Sequence, residues 1–379
     1  MGPRPWIAVG RPIAIALACA FIAAVAQLDG AARADTVDRP YRAFVPMAAR
    51  DEPRIPTYLK VVPPERGVYH AAMPDWSGFD GVTAAKIEAF EGLAEKGIAW
   101  AYFSNSWGDS FAFPADDARA VHEAGAVPFI RLMPRSHWEE YTPEPLYALQ
   151  AIADGRFDRE LTQWARDARD VGFPLMLQFC AEVNRDWYPW NGKYNGEEKG
   201  TLLYRQAYRH VVDIFRREEV WNATWFFHVD VEAEPDVAWN AMRNYYPGDE
   251  YVDWLGISVH PTQTQKYPWK SFTEVLDAGY AELTAISPSK PVAVLEWGVT
   301  DSYPGGDKAA WIRDAFAAIR SGRYPQVKAM AYWNQDYEHD YAQAWLRIDS
   351  SPGALNAYRS GVADPFFVTI AEIAVVRPP

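Results

Sequence analysis

Short apolar runs recur along most of this chain, and between them apolar residues return every three or four positions. Eight runs stand out, at residues 67–71, 98–103, 127–132, 174–179, 223–228, 252–259, 291–295 and 327–333. Each has the length of a strand and is nearly continuous in its apolar character, the pattern of strands buried on both faces. The intervening stretches read as helices. Residues 83–96 carry Ile87, Phe90, Leu93 and Ala94 on one face, 115–124 follow Pro114, and 156–171 carry Phe157, Leu161, Trp164 and Ala168. Residues 200–217 carry Leu203, Ala207, Val211 and Phe215, and 271–284 and 308–319 complete the outer set. Strands that alternate with helices pair in parallel. Eight of them close into an α/β fold of the (β/α)8 TIM-barrel kind. An open doubly wound sheet would carry a glycine-rich phosphate turn after its first strand, and none is visible.

The ends of the chain lack this rhythm. Residues 1–34 begin with Arg4 and Arg11, continue in an alanine-rich apolar run over 12–28, and close on Ala32-Arg33-Ala34 before Asp35. That is the pattern of a cleaved secretory signal peptide. The alternative is an uncleaved membrane anchor, for which the apolar run is marginal in length. The expected product is a periplasmic or secreted monomer. Residues 35–65 are polar and dotted with proline and read as an N-terminal arm. Residues 66–379 form the barrel domain, with an apolar tail over 363–379 expected to cover the barrel's exterior. No internal repeat or second-domain boundary interrupts it.

Charge and cysteine content narrow the function. The formal charge is −13 over 379 residues, and loss of the leader, with its three Arg and one Asp, takes it to −15. An acidic chain disfavours nucleic acid and polyanionic glycans as partners. Of the two cysteines, Cys19 lies in the leader, so Cys180 alone remains and no intrachain disulfide can form. It reads as a small buried hydrophobe rather than a nucleophile. The seven histidines are scattered without ligand spacing on any one element, so no metal or other cofactor is expected. The 17 Trp, 21 Tyr and 18 Phe exceed what most cores use, which suggests an aromatic-lined cleft, although large aromatics also fill cores.

Two runs end in chemistry. The fourth leads through Cys180 and Ala181 into Glu182, followed by Asn184, Trp187 and Trp190. The seventh ends in Glu296 and Trp297. A barrel presents its reactive groups at the C-terminal ends of its strands. Two strand-terminal glutamates beside aromatic rings suit glycoside hydrolysis, which needs a pair of carboxyl groups. The bland alternative is a pair of ordinary loop glutamates.

The segment from Glu182-Val-Asn184 to Trp187-Tyr-Pro-Trp190 resembles the acid/base motif of glycoside hydrolase family 26, the family of many β-mannanases. Lys290-Pro-Val-Ala-Val-Leu-Glu296 resembles that family's nucleophile strand. Segments around Asn222, Tyr245 to Ser258 and Trp345 to Asp349 also resemble family segments, in the expected order, over roughly 66–359. The resemblance implies a (β/α)8 barrel and a retaining double displacement, with Glu182 as acid/base and Glu296 as nucleophile. Asn184, His260 and Trp333 are expected at the substrate, with Trp333 resembling the aromatic floor beneath the cleaved sugar. At least one of Trp187 and Trp190 is read as a sugar platform, against loop packing as the alternative for each, and Trp107 and the loop around Arg135 and Trp138 as outer subsites. Trp297 is open to a place in the barrel wall.

Two positions depart from the family. Ala181 stands where the family usually has His, which contacts the sugar near its 2-hydroxyl. His260 stands where it usually has Tyr, and a histidine there can hydrogen-bond Glu296 with an added pH dependence. These departures leave the sugar open. Mannan comes first by resemblance, then β-1,3-xylan, β-glucan or a bacterial exopolysaccharide. A carbohydrate-binding barrel without catalysis, and a transglycosylase, are the competing classes.

Overall fold

The structure is a computed structural model that describes residues 58–78, 81–261, 268–339 and 342–376. The leader and most of the N-terminal arm lie outside the described residues. In chain order the strands are β1 (Tyr58–Val62), β2 (Val68–Met73), β3 (Trp100–Ser106), β4 (Val127–Met133), β5 (Leu175–Phe179), β6 (Ala223–Asp230), β7 (Trp254–Val259), β8 (Val292–Trp297), β9 (Val327–Trp333), β10 (Tyr337–His339), β11 (Ala342–Ala344), β12 (Phe367–Val368) and β13 (Glu372–Val376). Strands β2 to β9 pair in sequence order, each parallel to the next. The register from Tyr69↔Ala329 to Met73↔Trp333 joins β2 to β9 and closes the barrel. The (β/α)8 expectation holds.

The six helices read from periodicity are present with ends shifted by a few residues. Local chemistry sets several of those ends. Thr83 caps the helix Ala84–Ala94 by accepting from the Lys86 amide, and Ser271 and Glu274 form a capping box at the start of Phe272–Ile286. A further helix, Pro352–Val362, begins at the Ser351 cap with its proline in the first turn and packs against Lys308–Arg320. Among the described residues no helix is long and apolar enough to cross a membrane.

Strand alternation divides the apolar residues into two cores. Tyr69, Trp100, Phe129, Met176, Phe226, Trp254 and Leu295 fill the barrel interior. Residues of the opposite parity, such as Val68, Ile130, Leu177 and Phe227, pack outward against the helices. Trp297 belongs to this outer core, edge-on to Tyr332 and Phe316, which settles its place in the wall. The arm and tail meet at the N-terminal ends of the strands. There β1 pairs antiparallel with β13, Val61 enters the interior core, and Lys60 bonds Ala223 O and Asp253. The tail therefore pairs with the arm, and its β12 also adds to β2.

One irregularity matters for the site. Along β7 and β8 the pairing runs Ile257↔Val294 and then Ser258↔Glu296, so Leu295 is an extra residue. Along β8 and β9 it runs Val294↔Met330 and then Trp297↔Tyr332. Such a bulge re-aims the side chain beside it. Strict alternation would send Glu296 outward after the inward Leu295. The extra residue lets both face the interior while Trp297 still points outward. Gly256 makes room for this: a Cβ there would lie 2.3 Å from Leu295 Cδ1.

Candidate active site

At the C-terminal mouth the inward positions change from apolar to polar. Ser104 on β3, Arg131 on β4, Gln178 on β5, His228 on β6, Ser258 on β7 and Glu296 on β8 form a polar layer above the barrel core. Glu182 joins it from just beyond β5. Cys180 and Glu182 both adopt left-handed backbone conformations, with φ of 58° and 44°. Non-glycine residues rarely adopt this conformation, which costs about 1–3 kcal/mol each and clusters at functional sites. Here the Cys180 amide bonds Leu132 O and the Val183 amide reaches His228 O, so neighbouring strands hold the strained turn that aims Glu182 into the mouth.

Glu182 and Glu296 are each only 5% exposed. A carboxylate oxygen of each and a ring nitrogen of His228 lie within 4.8 Å of one another. Their surroundings drive the two carboxyl groups apart. Burial, then the Glu296 and Asp230 charges, push Glu182 up to about 8, while the nearby Ser258 hydroxyl and His260 oppose this more weakly. Burial also acts to raise Glu296. Arg131, then His260, outweigh it and hold Glu296 below its usual value. One carboxyl therefore stays protonated at neutral pH and the other ionised, the division of labour that acid/base chemistry requires.

Each carboxyl has its own supports. Arg131 Nη1 forms a buried ion pair with Glu296, while its Nε and Nη2 donate to Ser104 Oγ at 3.0 and 2.7 Å. The guanidinium lies over the rings of Tyr102 and Trp333, 5.4 and 5.2 Å from their centroids. Trp187 Nε1 donates to Glu182 Oε2 at 3.1 Å, and Arg185 stacks on the Trp187 ring at 3.9 Å. His228 is fully buried, with Nε2 2.8 Å from Ser258 Oγ, and burial pushes its pKa down to about 3, so it is neutral. Asp230, ending β6, is raised to about 6 by burial, against the pull of Arg185 3.8 Å away.

His260 reaches the site but does not hydrogen-bond Glu296. Its Nδ1 turns to Gly298 O at 3.2 Å, and its Nε2 stands 3.9 Å from Glu296 Oε2, an ion pair beyond hydrogen-bond reach. Burial lowers its pKa, but the Glu296 and Glu182 carboxyl groups prevail and raise it overall. Trp333 is half-buried and meets the His260 ring edge to face.

Three residues expected at the substrate are buried in the loops around the mouth. Trp190 is buried, donates to Ala181 O at 2.7 Å and stacks on Tyr188 at 4.5 Å. Trp107 is buried against Phe111 at 3.9 Å. Asn184 is fully buried. Its amide nitrogen donates to Asp230 O and its oxygen accepts from Asp230 N, which clamps the loop after β5 to the end of β6.

Sequence reading passed over Arg131, His228, Ser258 and Tyr188. The signal for Arg131 and His228 was present, since each is a polar residue embedded in an apolar strand. The half-buried Tyr188 follows Trp187, and its phenol feels Glu182, Arg131 and Glu296. By distance, Glu182, His228 and Glu296 could gather around a metal ion, and no other such group occurs among the described residues. The donor set fits a cation poorly. Arg131 already occupies Glu296, and Ser258 engages His228.

Fold and site define a (β/α)8 barrel whose mouth holds two buried, oppositely tuned carboxyl groups. Residues 151–296 match the family described as glycosyl hydrolase family 26, and the chain belongs to that family. It is 31% identical over 290 residues to Endoglucanase H of Acetivibrio thermocellus, a match covering 76% of this chain and 30% of that protein. It is 26% identical over 211 residues to a mannan endo-1,4-beta-mannosidase of Bacillus subtilis, covering 52% and 49%. The fold is also that of a modular endo-beta-1,4-mannanase from Cellulomonas fimi, with a TM-score of 0.58 at 19% identity over 80% of this chain and 72% of the other. The chain thus spans at most about half the length of the two relatives compared by sequence.

Proposed function

We propose that this chain is an exported, retaining, endo-acting glycoside hydrolase of a neutral β-linked polysaccharide, of mannan type. Glu182 is its acid/base and Glu296 its nucleophile. The observation that carries this reading is the carboxyl pair, with oxygens within 4.8 Å and opposite ionisation. Retaining pairs stand about 5–5.5 Å apart, whereas inverting pairs stand about 6.5–9.5 Å apart to admit a water.

In the first step the Glu296 carboxylate attacks the anomeric carbon as the glycosidic C–O bond breaks. Glu182 gives its proton to the leaving oxygen. The Glu182 carboxylate then takes a proton from water, whose oxygen attacks the same carbon and displaces Glu296. Two inversions give net retention. Arg131 and the raised His260 keep Glu296 ionised, and Trp187 orients Glu182 through its indole N–H.

A second reading, β-glucan as substrate, is favoured by the likeness to an endoglucanase and by Ala181, which cannot make the polar 2-hydroxyl contact expected of the family's histidine. Reducing-end release from mannan, galactomannan, β-1,3-xylan and mixed-linkage β-glucan decides between them, with Glu182→Gln and Glu296→Gln as controls. Cleavage of one glycan, abolished in both variants, is the expected result. Binding without cleavage by the wild-type chain would replace the enzyme with a carbohydrate-binding barrel.

A further inference from the structure

The ribbon of β1 and β13, at the N-terminal end of the barrel, has one finished edge and one open edge. Along β1 the Leu59 amide donates to Trp221 O at 2.6 Å and the Val61 amide to Thr224 Oγ1 at 2.9 Å. Leu59 and Val61 therefore turn their backbone groups toward β6. Successive residues of a strand direct these groups to opposite edges, so Tyr58, Lys60 and Val62 turn theirs toward β13. The register sets them against Val376, Ala374 and Glu372. At the end of this ladder the Tyr69 hydroxyl bridges the Glu372 amide and Val62 O, at 2.8 Å to each. Ile373 and Val375 are left with their N–H and C=O groups directed to the outer edge of β13, where no strand among the described residues pairs with them.

The side chains along this edge are apolar and exposed. Residues opposite one another in an antiparallel pair share a face, which puts Ile373 with Val61 and Val375 with Leu59. Val61 belongs to the interior core, whereas Ile373 is 39% exposed and Val375 67% exposed. Ile370, just before the strand, is 67% exposed. Natural edges are guarded by a lysine, a proline, a bulge or an inward-pointing charge. Residues 373–376, Ile-Ala-Val-Val, carry no such guard, and their register with β1 is unbroken. The nearest charge, Glu372, accepts from the Glu65 amide at 3.0 Å.

The edge is also self-complementary. Two copies of β13 laid antiparallel about a two-fold axis at Ala374 pair along the whole strand. Ile373 of each copy then exchanges both backbone bonds with Val375 of the other, and the four apolar side chains meet on one face. The chain carries a net charge of −13, yet residues 373–376 bring no like charges into the contact. We propose that the outer edge of β13 is a homodimer interface, at which two copies join their ribbons into one sheet of order β1-β13-β13-β1. So short a strand, with Ile370 beside it, buries less than about 1,200 Å², so the dimer is reversible. The mouths lie at the opposite end of each barrel and stay open. The chain is on this proposal a dimer rather than the expected monomer, whichever sugar the mouth accepts.

Sedimentation velocity of the full chain from about 1 to 100 µM, the range over which so small an interface dissociates, should show a monomer–dimer equilibrium. Val375→Lys places a charge on the exposed edge. It should raise the dimer dissociation constant about tenfold or more and leave the melting temperature of the monomer unchanged. The register has its own test. Ala374 lies on the two-fold axis, so Ala374→Cys faces itself across the contact at a spacing that a disulfide accepts, and mild oxidation should link two chains. Glu372→Cys stands opposite Val376 of the second copy, not opposite itself, and should not link. A single monomeric species at every concentration overturns the proposal and leaves the edge to the N-terminal arm or to an unlike partner. A dimer that Val375→Lys leaves intact overturns it too, as does Ala374→Cys linking no better than Glu372→Cys.

Discussion

Arg131 and Glu296, 165 residues apart, form an ion pair in which each side chain is only 7% exposed. Breaking one partner of a buried pair leaves an uncompensated charge, at a cost of about 3–5 kcal/mol. Arg131→Met is therefore expected to lower thermal stability. It should also raise the Glu296 pKa, moving the acid limb of the kcat/KM profile to higher pH. Differential scanning calorimetry and a pH–rate profile measure the two effects, and an unmoved acid limb would remove Arg131 from the tuning of Glu296.

In the proposed mechanism the raised Glu182 carboxyl sets the basic limb. Glu182 must carry a proton to donate it, so kcat/KM should fall as pH rises through about 8. Asp230→Asn removes a nearby negative charge and should move that limb to lower pH. The stability consequence has its own sign. The native state holds this proton after the unfolded chain has lost it, so Glu182 costs stability increasingly between its ordinary value of 4.5 and about 8. Glu182→Gln should be relatively more stable than wild type at pH 8 than at pH 4, as denaturant melts at the two pH values will show.

His260 acts on Glu296 through charge at 3.9 Å rather than through a hydrogen bond. His260→Phe should weaken the ionised nucleophile and raise the acid limb. His260→Tyr, which restores the residue usual in the family, would supply a donor whose protonation does not change near neutrality. If both variants keep the wild-type profile, His260 has no electrostatic part in the site.

Asn184 ties two loops together by exchanging both hydrogen bonds with Asp230. Asn184→Ala leaves a buried N–H and C=O without partners, a cost of about 1–3 kcal/mol for each unsatisfied group. Activity should fall with stability, since Glu182 stands two residues away on the clamped segment. Urea melts and rates measured on the same preparations check this. Activity loss without destabilisation would point back to direct substrate contact.

Gly256→Ala probes the bulge. The added methyl would stand 2.3 Å from Leu295 Cδ1 in the barrel interior. Overpacking of this kind costs about 1–3 kcal/mol. Because Leu295 is the extra residue beside Glu296, the rate should drop by more than the loss of folded protein explains.

The strands, most of the helices and the two glutamates were legible in the chain because each is a local matter. A doubly buried strand needs a continuous apolar run, an amphipathic helix needs its 3.6-residue spacing, and both carboxylates end strands whose type those runs announce. The indoles were less legible. Trp107, Trp187, Trp190 and Trp333 look alike as letters, and only the packing around each decides which ring is buried, which binds Glu182 and which lies under Arg131. The pairing of arm with tail, and of Arg131 with Glu296, also required closure of the barrel, since residues hundreds of positions apart meet only when β2 reaches β9. The aim of Glu296 is the clearest case. Alternation counted along the strand points it into the wall, and the extra residue that turns it inward exists only relative to the register of two neighbouring strands.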